Sequence, residues 1–464
     1  MTISLGRGRW IDRWNPEDEQ FWQTTGQTVA RRNLVYSIFA EHLGFSVWLL
    51  WSVVAVSLPA AGFTFSVDQL FWLVAVPNLV GSFMRIPYTA AVARFGGRNW
   101  TTVSAALLLI PIGLMILCVT DPTTPYWMFL VAAATAGLGG GNFASSMANI
   151  SYFYPERYKG TALGLNAAGG NIGVAVVQLL VPLVIGVALV GTAQAPGVHL
   201  QNAPLLWLLP VLAATACAWL FMDNLTAAKA TIAEQLTALR NKHTWVMSFL
   251  YIGTFGSFIG YSAAFPLLIS SQFPGVPAVY LAFLGPLVGS VARPFGGWLS
   301  DRIGGARVTM SNFGLMALGV AGVLAALDAR HFGFFLSSFL VLFVTSGLGN
   351  GSTYRMIPAI FRAEALRAVQ LSEDSPEDQA KLRALVRGRR EAAAVIGLVS
   401  AIGAFGGFLI PRGFGMSIAA TGSITVALYV FLASYALMVV VTWWYYLRRG
   451  LLVSRAPSLA YASV

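Results

Sequence analysis

Apolar residues fill this chain in long blocks separated by short polar stretches. A hydrocarbon layer about 30 Å thick takes roughly 20 helical residues to cross. Twelve blocks reach that length, at about 33–57, 68–92, 101–119, 126–150, 161–189, 204–222, 244–272, 278–299, 307–327, 332–361, 391–415 and 422–447. Each predicts a membrane-crossing helix. The connections are short except 223–243 and 362–390. Residues 1–32 are polar, and NPEDEQFWQTTGQTVARRN within them predicts a short surface helix. Asn15 would cap it, Pro16 fits its first turn, and Glu17 to Glu19 suit its positive end. The stretch has neither the apolar run nor the cleavage site of a signal peptide, so it is expected to be kept.

A second pattern lies on top of the first. VGSFMRIPYTAAVARFGG from Val80 and VGSVARPFGGWLSDRIGG from Val288 share Val-Gly-Ser, a deep arginine, a second arginine nine residues on, and Gly-Gly. GLGGG at Gly137 matches GLGNG at Gly347, and GLNAAGGNIG at Gly164 matches GLVSAIGAFG at Gly397. Spans 2, 4 and 5 therefore correspond to spans 8, 10 and 11. The expected architecture is an all-α membrane protein of twelve transmembrane helices in two pseudo-symmetric six-helix halves. The halves are 33–222 and 244–447, joined by a linker at 223–243, with a tail at 448–464. Parallel six-helix halves with a site at their interface are a transporter architecture.

Composition agrees: 57% of residues are hydrophobic and 10% charged, against about 25% charged in soluble domains. The net charge of +11 is spread through short loops rather than gathered into a nucleic-acid surface. Arg94, Arg98, Arg157, Lys159, Arg302, Arg307 and the cluster from Arg362 to Arg390 share one side with both termini, and the other side keeps only Arg330 and Arg412. By the excess of basic residues on cytoplasmic loops, both termini are cytoplasmic and the expected location is the cell inner membrane. The segment SEDSPEDQAKLRALVRGRR reads as a solvated cytoplasmic loop. Cys118, Cys217 and four scattered histidines predict neither a disulfide nor a metal site. With no nucleophile–base set or cofactor motif, the chain reads as a non-enzyme without cofactors.

Two arginines break the apolar pattern. Arg85 precedes the loop residue Arg94 by nine positions, and Arg293 precedes Arg302 by nine. At 1.5 Å per residue each lies about 13 Å inside the membrane, near the midplane of a layer about 15 Å in half-thickness. Arginine there costs roughly 2.5–3.5 kcal/mol on insertion scales. Snorkelling explains Arg94 and Arg302 but not residues this deep. One deep acid, Glu41, cannot neutralise both, so an anionic ligand is expected. Guanidinium is flat, permanently charged and donates paired hydrogen bonds, which suits a flat oxyanion. Glu41 is itself about 13 Å deep and Arg355 about 10 Å. Two readings stand: Glu41 pairs with Arg355, or it takes up a proton because burial disfavours its charge. His42 points elsewhere on the helix and adds little.

The loops RFGGR and GGWLSDRIGG resemble those of the major facilitator superfamily. GLNAAGGNIGVAVVQ and GLVSAIGAFGGFLIPRGFG resemble the two signatures of its nitrate/nitrite porter family, as do GNFASSMANISYFYP and TFGSFIGYSAAF. The first loop departs from the pattern, with Ala93 where the second has Asp301. The resemblance implies that nitrate and nitrite are the partners and that Arg85 and Arg293 bind them. It also implies that Phe45, Phe143, Tyr251 and Phe255 form the pocket, that Asn171 contributes an amide and that Ser400 lies close. Helix packing is the competing reading for each aromatic. Gly164, Gly169, Gly170 and Gly173 recur as Gly397, Gly403, Gly406 and Gly407. Such residues let helices approach and slide, so spans 5 and 11 are expected to rock against spans 8 and 2, with static packing as the alternative. Nitrate uptake against nitrite extrusion is favoured over nitrate–proton symport through Glu41 and over a non-transporting sensor. The chain is expected to act as a monomer in the lipid bilayer.

Overall fold

The computed structural model describes residues 8–226, 239–277, 280–370, 388, 391–392, 395–449, 458–459 and 464. Twelve long helices dominate it: α1 Glu19–Ser57, α2 Val67–Phe95, α3 Gly97–Thr120, α4 Tyr126–Phe153, α5 Glu156–Ile185, α6 Asn202–Phe221, α7 Lys242–Gln272, α8 Leu284–Ile303, α9 Gly305–Asp328, α10 Phe332–Arg367, α11 Val395–Thr421 and α12 Thr425–Leu447. Eleven are long and apolar enough to cross a membrane by themselves. The twelfth, α8, is diluted by Arg293, Asp301, Arg302 and four glycines. Most of the expected loop 362–390, part of the linker and most of the tail lie outside the described residues.

Local chemistry sets the helix ends. Ser66 opens α2 with a capping box: its hydroxyl accepts from Gln69 N at 3.2 Å, and Gln69 Oε1 accepts from Ser66 N at 2.8 Å. The Gly-Gly pairs of the internal repeat close α2 and α8. Gly96 and Gly304 take φ of +88° and +93°, a region that side chains resist. The next helix starts at once from Gly97 and Gly305. The repeat therefore encodes the same sharp reversal in each half.

The expected surface helix is not separate. Asp18, not Asn15, is the cap, accepting from Gln20 N at 3.0 Å and Phe21 N at 3.1 Å. From there the helix runs through a wide turn at Trp22–Gly26 into α1 without a break. Ahead of it, β1 Trp10–Ile11 pairs in parallel with β2 Asn224–Leu225 at the end of α6. Buried Asp223 anchors this strap. It accepts from Arg9 Nε at 3.0 Å, Arg32 Nη2 at 2.6 Å and Asn33 Nδ2 at 2.9 Å.

Burial separates central from peripheral helices. The most apolar stretches of α7 and α1 are 94% and 83% buried, whereas those of α6 and α12 are 28% buried. Helices α1–α6 pack among themselves, as do α7–α12. Across the interface α1 and α2 meet α7, α2 meets α11, and α5 meets α8.

Candidate functional site

The two deep arginines converge where the halves meet. Arg85 on α2 is fully buried and Arg293 on α8 is 5% exposed. One ring serves both: Phe143 on α4 has its centre 4.6 Å from the Arg85 guanidinium carbon and 5.4 Å from that of Arg293. Phe255 lies 4.7 Å from Arg85 on the other half, and Trp48 lies 5.6 Å away. The electron-rich ring faces attract the cations and so offset part of the cost of burying them. A stacked shelf continues from Phe143 to Phe255 (5.8 Å, 23°) and from Phe255 to Tyr251 (5.3 Å, 12°). Phe45 meets Phe143 edge-on at 6.1 Å. All four aromatics expected from the sequence are therefore gathered into one cluster.

A local irregularity presents the shelf. A wide turn at Ile252–Gly256 interrupts α7 between Tyr251 and Ser257. Such turns are frequent at functional sites because they re-aim successive side chains. Phe255 lies within it and Tyr251 directly before it.

Hydrogen bonds hold Arg85 at two corners. Its Nε donates to Gly140 O at 3.2 Å on α4, and its Nη1 donates to Ser400 O at 2.9 Å on α11. Ser400 thus acts through its carbonyl, while its hydroxyl turns back to Gly397 O at 3.0 Å. Arg85 Nη2 and Arg293 Nη1 are buried without a hydrogen-bond partner. Buried polar groups are normally paired, and open donors on two neighbouring cations are chemically able to hydrogen-bond an anion. Asn171 is buried on α5 with its Oδ1 unpartnered.

Of the two readings of Glu41, its pairing with Arg355 is not what the structure shows. Arg355 Nε donates to Asp301 Oδ1 at 2.5 Å, and both side chains are more than half exposed. Residue count gave a depth near 10 Å, but helix rotation turns Arg355 outward to the end of α8. Glu41 is fully buried. Its Oε2 accepts from Ser146 Oγ and from Asn166 Nδ2, the latter at 2.6 Å. Its Oε1 has no partner and lies against Gly170, where a Cβ would stand 2.8 Å from Glu41 Cδ.

The glycine expectation also changes. Gly169, Gly170 and Gly173 meet Ile38, Glu41 and His42 on α1, not α8. Gly403 and Gly406 meet Tyr251, Ile252 and Gly256 on α7. These glycines bind α5 to α1 and α11 to α7 inside each half. Gly407 alone of the eight meets both α7 and α2 closely, Gly397 approaches Thr89 of α2 at 3.8 Å, and a Cβ on Gly164 would meet nothing within 4 Å. The expected sliding of spans 5 and 11 against spans 8 and 2 is therefore not where most of these close approaches occur. An apolar repeat gives the helix face that is small, not the neighbour it faces.

Sequence reasoning passed over several residues around the arginines. Trp48 flanks Arg85 and donates from Nε1 to Pro77 O at 2.9 Å. Tyr354 lies 5.8 Å from Arg293 and 6.2 Å from Tyr251. Ser146 and Asn166 stand inside the quoted motifs GNFASSMANISYFYP and GLNAAGGNIG, so the signal was present. Polar contacts between the halves include Arg85–Ser400, Gln178 Nε2 to Ser262 O at 2.7 Å and Arg412 Nη1 to Asp68 Oδ1 at 2.7 Å. The last two lie at the end away from the basic loops, and Arg412 also stacks over Trp72 at 4.1 Å.

Comparison with known proteins agrees with this architecture. The Major Facilitator Superfamily profile matches residues 43–370. The chain is 45% identical over 450 residues to the nitrate/nitrite transporter NarU of Salmonella typhimurium, covering 95% of this chain and 96% of that protein. It is 46% identical over 448 residues to NarU of Escherichia coli, covering 94% and 96%. It is 39% identical over 471 residues to the probable nitrate/nitrite antiporter NarK2 of Thermus thermophilus, covering 97% and 99%. In fold it resembles a D-xylose-proton symporter, with a TM-score of 0.62 at 14% identity over 89% of this chain and 96% of that one.

Proposed function

The chain belongs to the nitrate/nitrite porter family of the major facilitator superfamily, and from that premise we propose that it takes up nitrate in exchange for nitrite. Arg85 and Arg293 hold the anion edge-on, and Phe143 and Phe255 wall the site. The protein sits in the inner membrane as a monomer with both termini cytoplasmic. The observation that carries this reading is the pair of buried guanidinium groups, one from each half, each with an unpartnered N–H donor. Lysine at either place would keep the charge but lose the planar fork that matches a flat oxyanion.

Exchange follows from electrostatics. Closing an empty site around two guanidinium groups removes water from cations without partners, which is costly. A bound anion offsets that cost, so the loaded carrier reorients readily and the empty one slowly. The contacts Gln178–Ser262 and Asp68–Arg412 join the halves on the side away from the basic loops, so that end is the closed one in this reading. Proton symport is the second reading, carried by the burial of Glu41. Asn166 Nδ2 and Ser146 Oγ both donate to Oε2, which leaves Oε1 as the place where a proton would sit.

The test is nitrate flux into proteoliposomes that are empty or loaded with nitrite, with and without a pH gradient. Exchange predicts uptake that requires internal nitrite or nitrate and survives collapse of the gradient. Strong uptake into empty vesicles driven by inward protons would overturn it in favour of symport.

A further inference from the structure

No cation among the described residues is bonded to Glu41, yet it lies deep in the half that carries Arg85. Among the described residues, Glu41 and Asp223 are the buried acids, and Asp223 is neutralised by Arg9 and Arg32. Glu41 stands one helical turn, about 5.4 Å, before Phe45 on α1. Its partner Ser146 stands one turn beyond Phe143 on α4 and also donates to Phe143 O at 3.2 Å. The carboxylate is thus tied directly to the segment whose ring lies against both guanidinium groups.

The hydrogen bonds fix this charge in place. Asn166 Nδ2 donates to Glu41 Oε2 at 2.6 Å and to Ser146 Oγ at 2.8 Å. Gly170 leaves room for Oε1, since any side chain there collides with the carboxylate. The counter-charge therefore has a built seat, on three helices of one half.

We propose that Glu41 sets the valence of the anion the site accepts. The proposal rests on the nitrate reading above and deepens it. Two guanidinium groups and one carboxylate give a net charge of one positive unit. A monoanion such as nitrate or nitrite makes the closed site neutral. A dianion of the same shape leaves one buried negative charge, which is costly in a water-poor interior. Shape alone does not make this distinction, because carbonate is planar, three-oxygen and isoelectronic with nitrate. Glu41 acts through its field and is a specificity-determining residue, not a contact to the anion.

The experiment measures binding of nitrate and of carbonate to purified protein, wild type against Glu41→Gln, at an alkaline pH where carbonate is the dianion. Glutamine keeps the size and removes the charge. Glu41→Met is measured in parallel, so the test stands if one variant does not insert. Coulomb energy scales with the product of charges, so the gain for a dianion is the square of the gain for a monoanion. A roughly fivefold tightening of nitrate should accompany a roughly 25-fold tightening of carbonate. Equal changes for both anions, no change for either, or loss of both in a folded variant would overturn the proposal. If the wild type does not bind nitrate at all, the nitrate reading fails. If it binds nitrate and the squared relation fails, only the role of Glu41 fails.

Discussion

Adding one methyl group at Gly403 separates two accounts of the signature glycines. If α11 slides there, Gly403→Ala should slow transport and spare anion binding. The structure predicts otherwise. A Cβ at Gly403 would stand 3.0 Å from Tyr251 Cγ and 3.1 Å from Tyr251 Cβ, and closer still to Cδ1. Carbon atoms rest at about 3.5–4.0 Å, so the ring must retreat by roughly 1 Å. Tyr251 stacks on Phe255, which lies over Arg85. Displacing it disturbs the shelf beside Arg85, the proposed anion site. Overpacking of this kind costs about 1–3 kcal/mol, and at 1.4 kcal/mol per decade that is roughly a 5- to 150-fold loss of affinity if it falls on the bound state. The assay is nitrate titration of purified Gly403→Ala by tryptophan fluorescence, run beside exchange in proteoliposomes. Gly164→Ala is the control, because a Cβ there meets nothing within 4 Å, and it should bind and exchange like the wild type. Unchanged affinity with abolished exchange in Gly403→Ala would refute the reasoning and restore sliding.

Arg85→Lys and Arg293→Lys should each lose most exchange while still inserting. For Arg85 the change removes hydrogen bonds to Gly140 O and Ser400 O, each worth about 1.5–3 kcal/mol when the donor is charged; near-normal uptake would show that only charge is needed. Asp68→Asn should weaken the lock to Arg412, whose side chain is 12% exposed. Spin-label distances across that end should lengthen in a larger fraction of molecules, and an unchanged distribution would remove the lock from the account. Asp223→Asn leaves Arg9 and Arg32 without their carboxylate. It should lower thermal stability in detergent with little change in anion affinity, and an unaltered melting midpoint would show that the strap bears little load.

Much of this protein was legible in its sequence because a membrane interior removes alternatives. Backbone groups there must be satisfied within a helix, so apolar length alone located the helices to within several residues, apart from α1, which starts at Glu19 rather than near 33. The same constraint exposed Arg85 and Arg293, since only a strong reason keeps an arginine so deep. The repeat assigned matching turns at Gly96 and Gly304, because a positive φ is a local property of the chain. Rotation and neighbours were not legible in this way. Residue count gave Glu41 and Arg355 similar depths, but packing turned Arg355 outward to Asp301 and Glu41 inward to Ser146 and Asn166. The small faces of α5 and α11 were visible as glycines, while the crossing of helices decided that they lie mainly against α1 and α7. Asp18 rather than Asn15 is the cap because its carboxylate reaches two backbone N–H groups, and Asp223 gained two arginines because the strap at Trp10–Ile11 pairs with the strand directly after it. Depth follows from a fixed rise per residue along one helix, whereas contact depends on how side chains on different helices interlock, which the order of residues along the chain does not state.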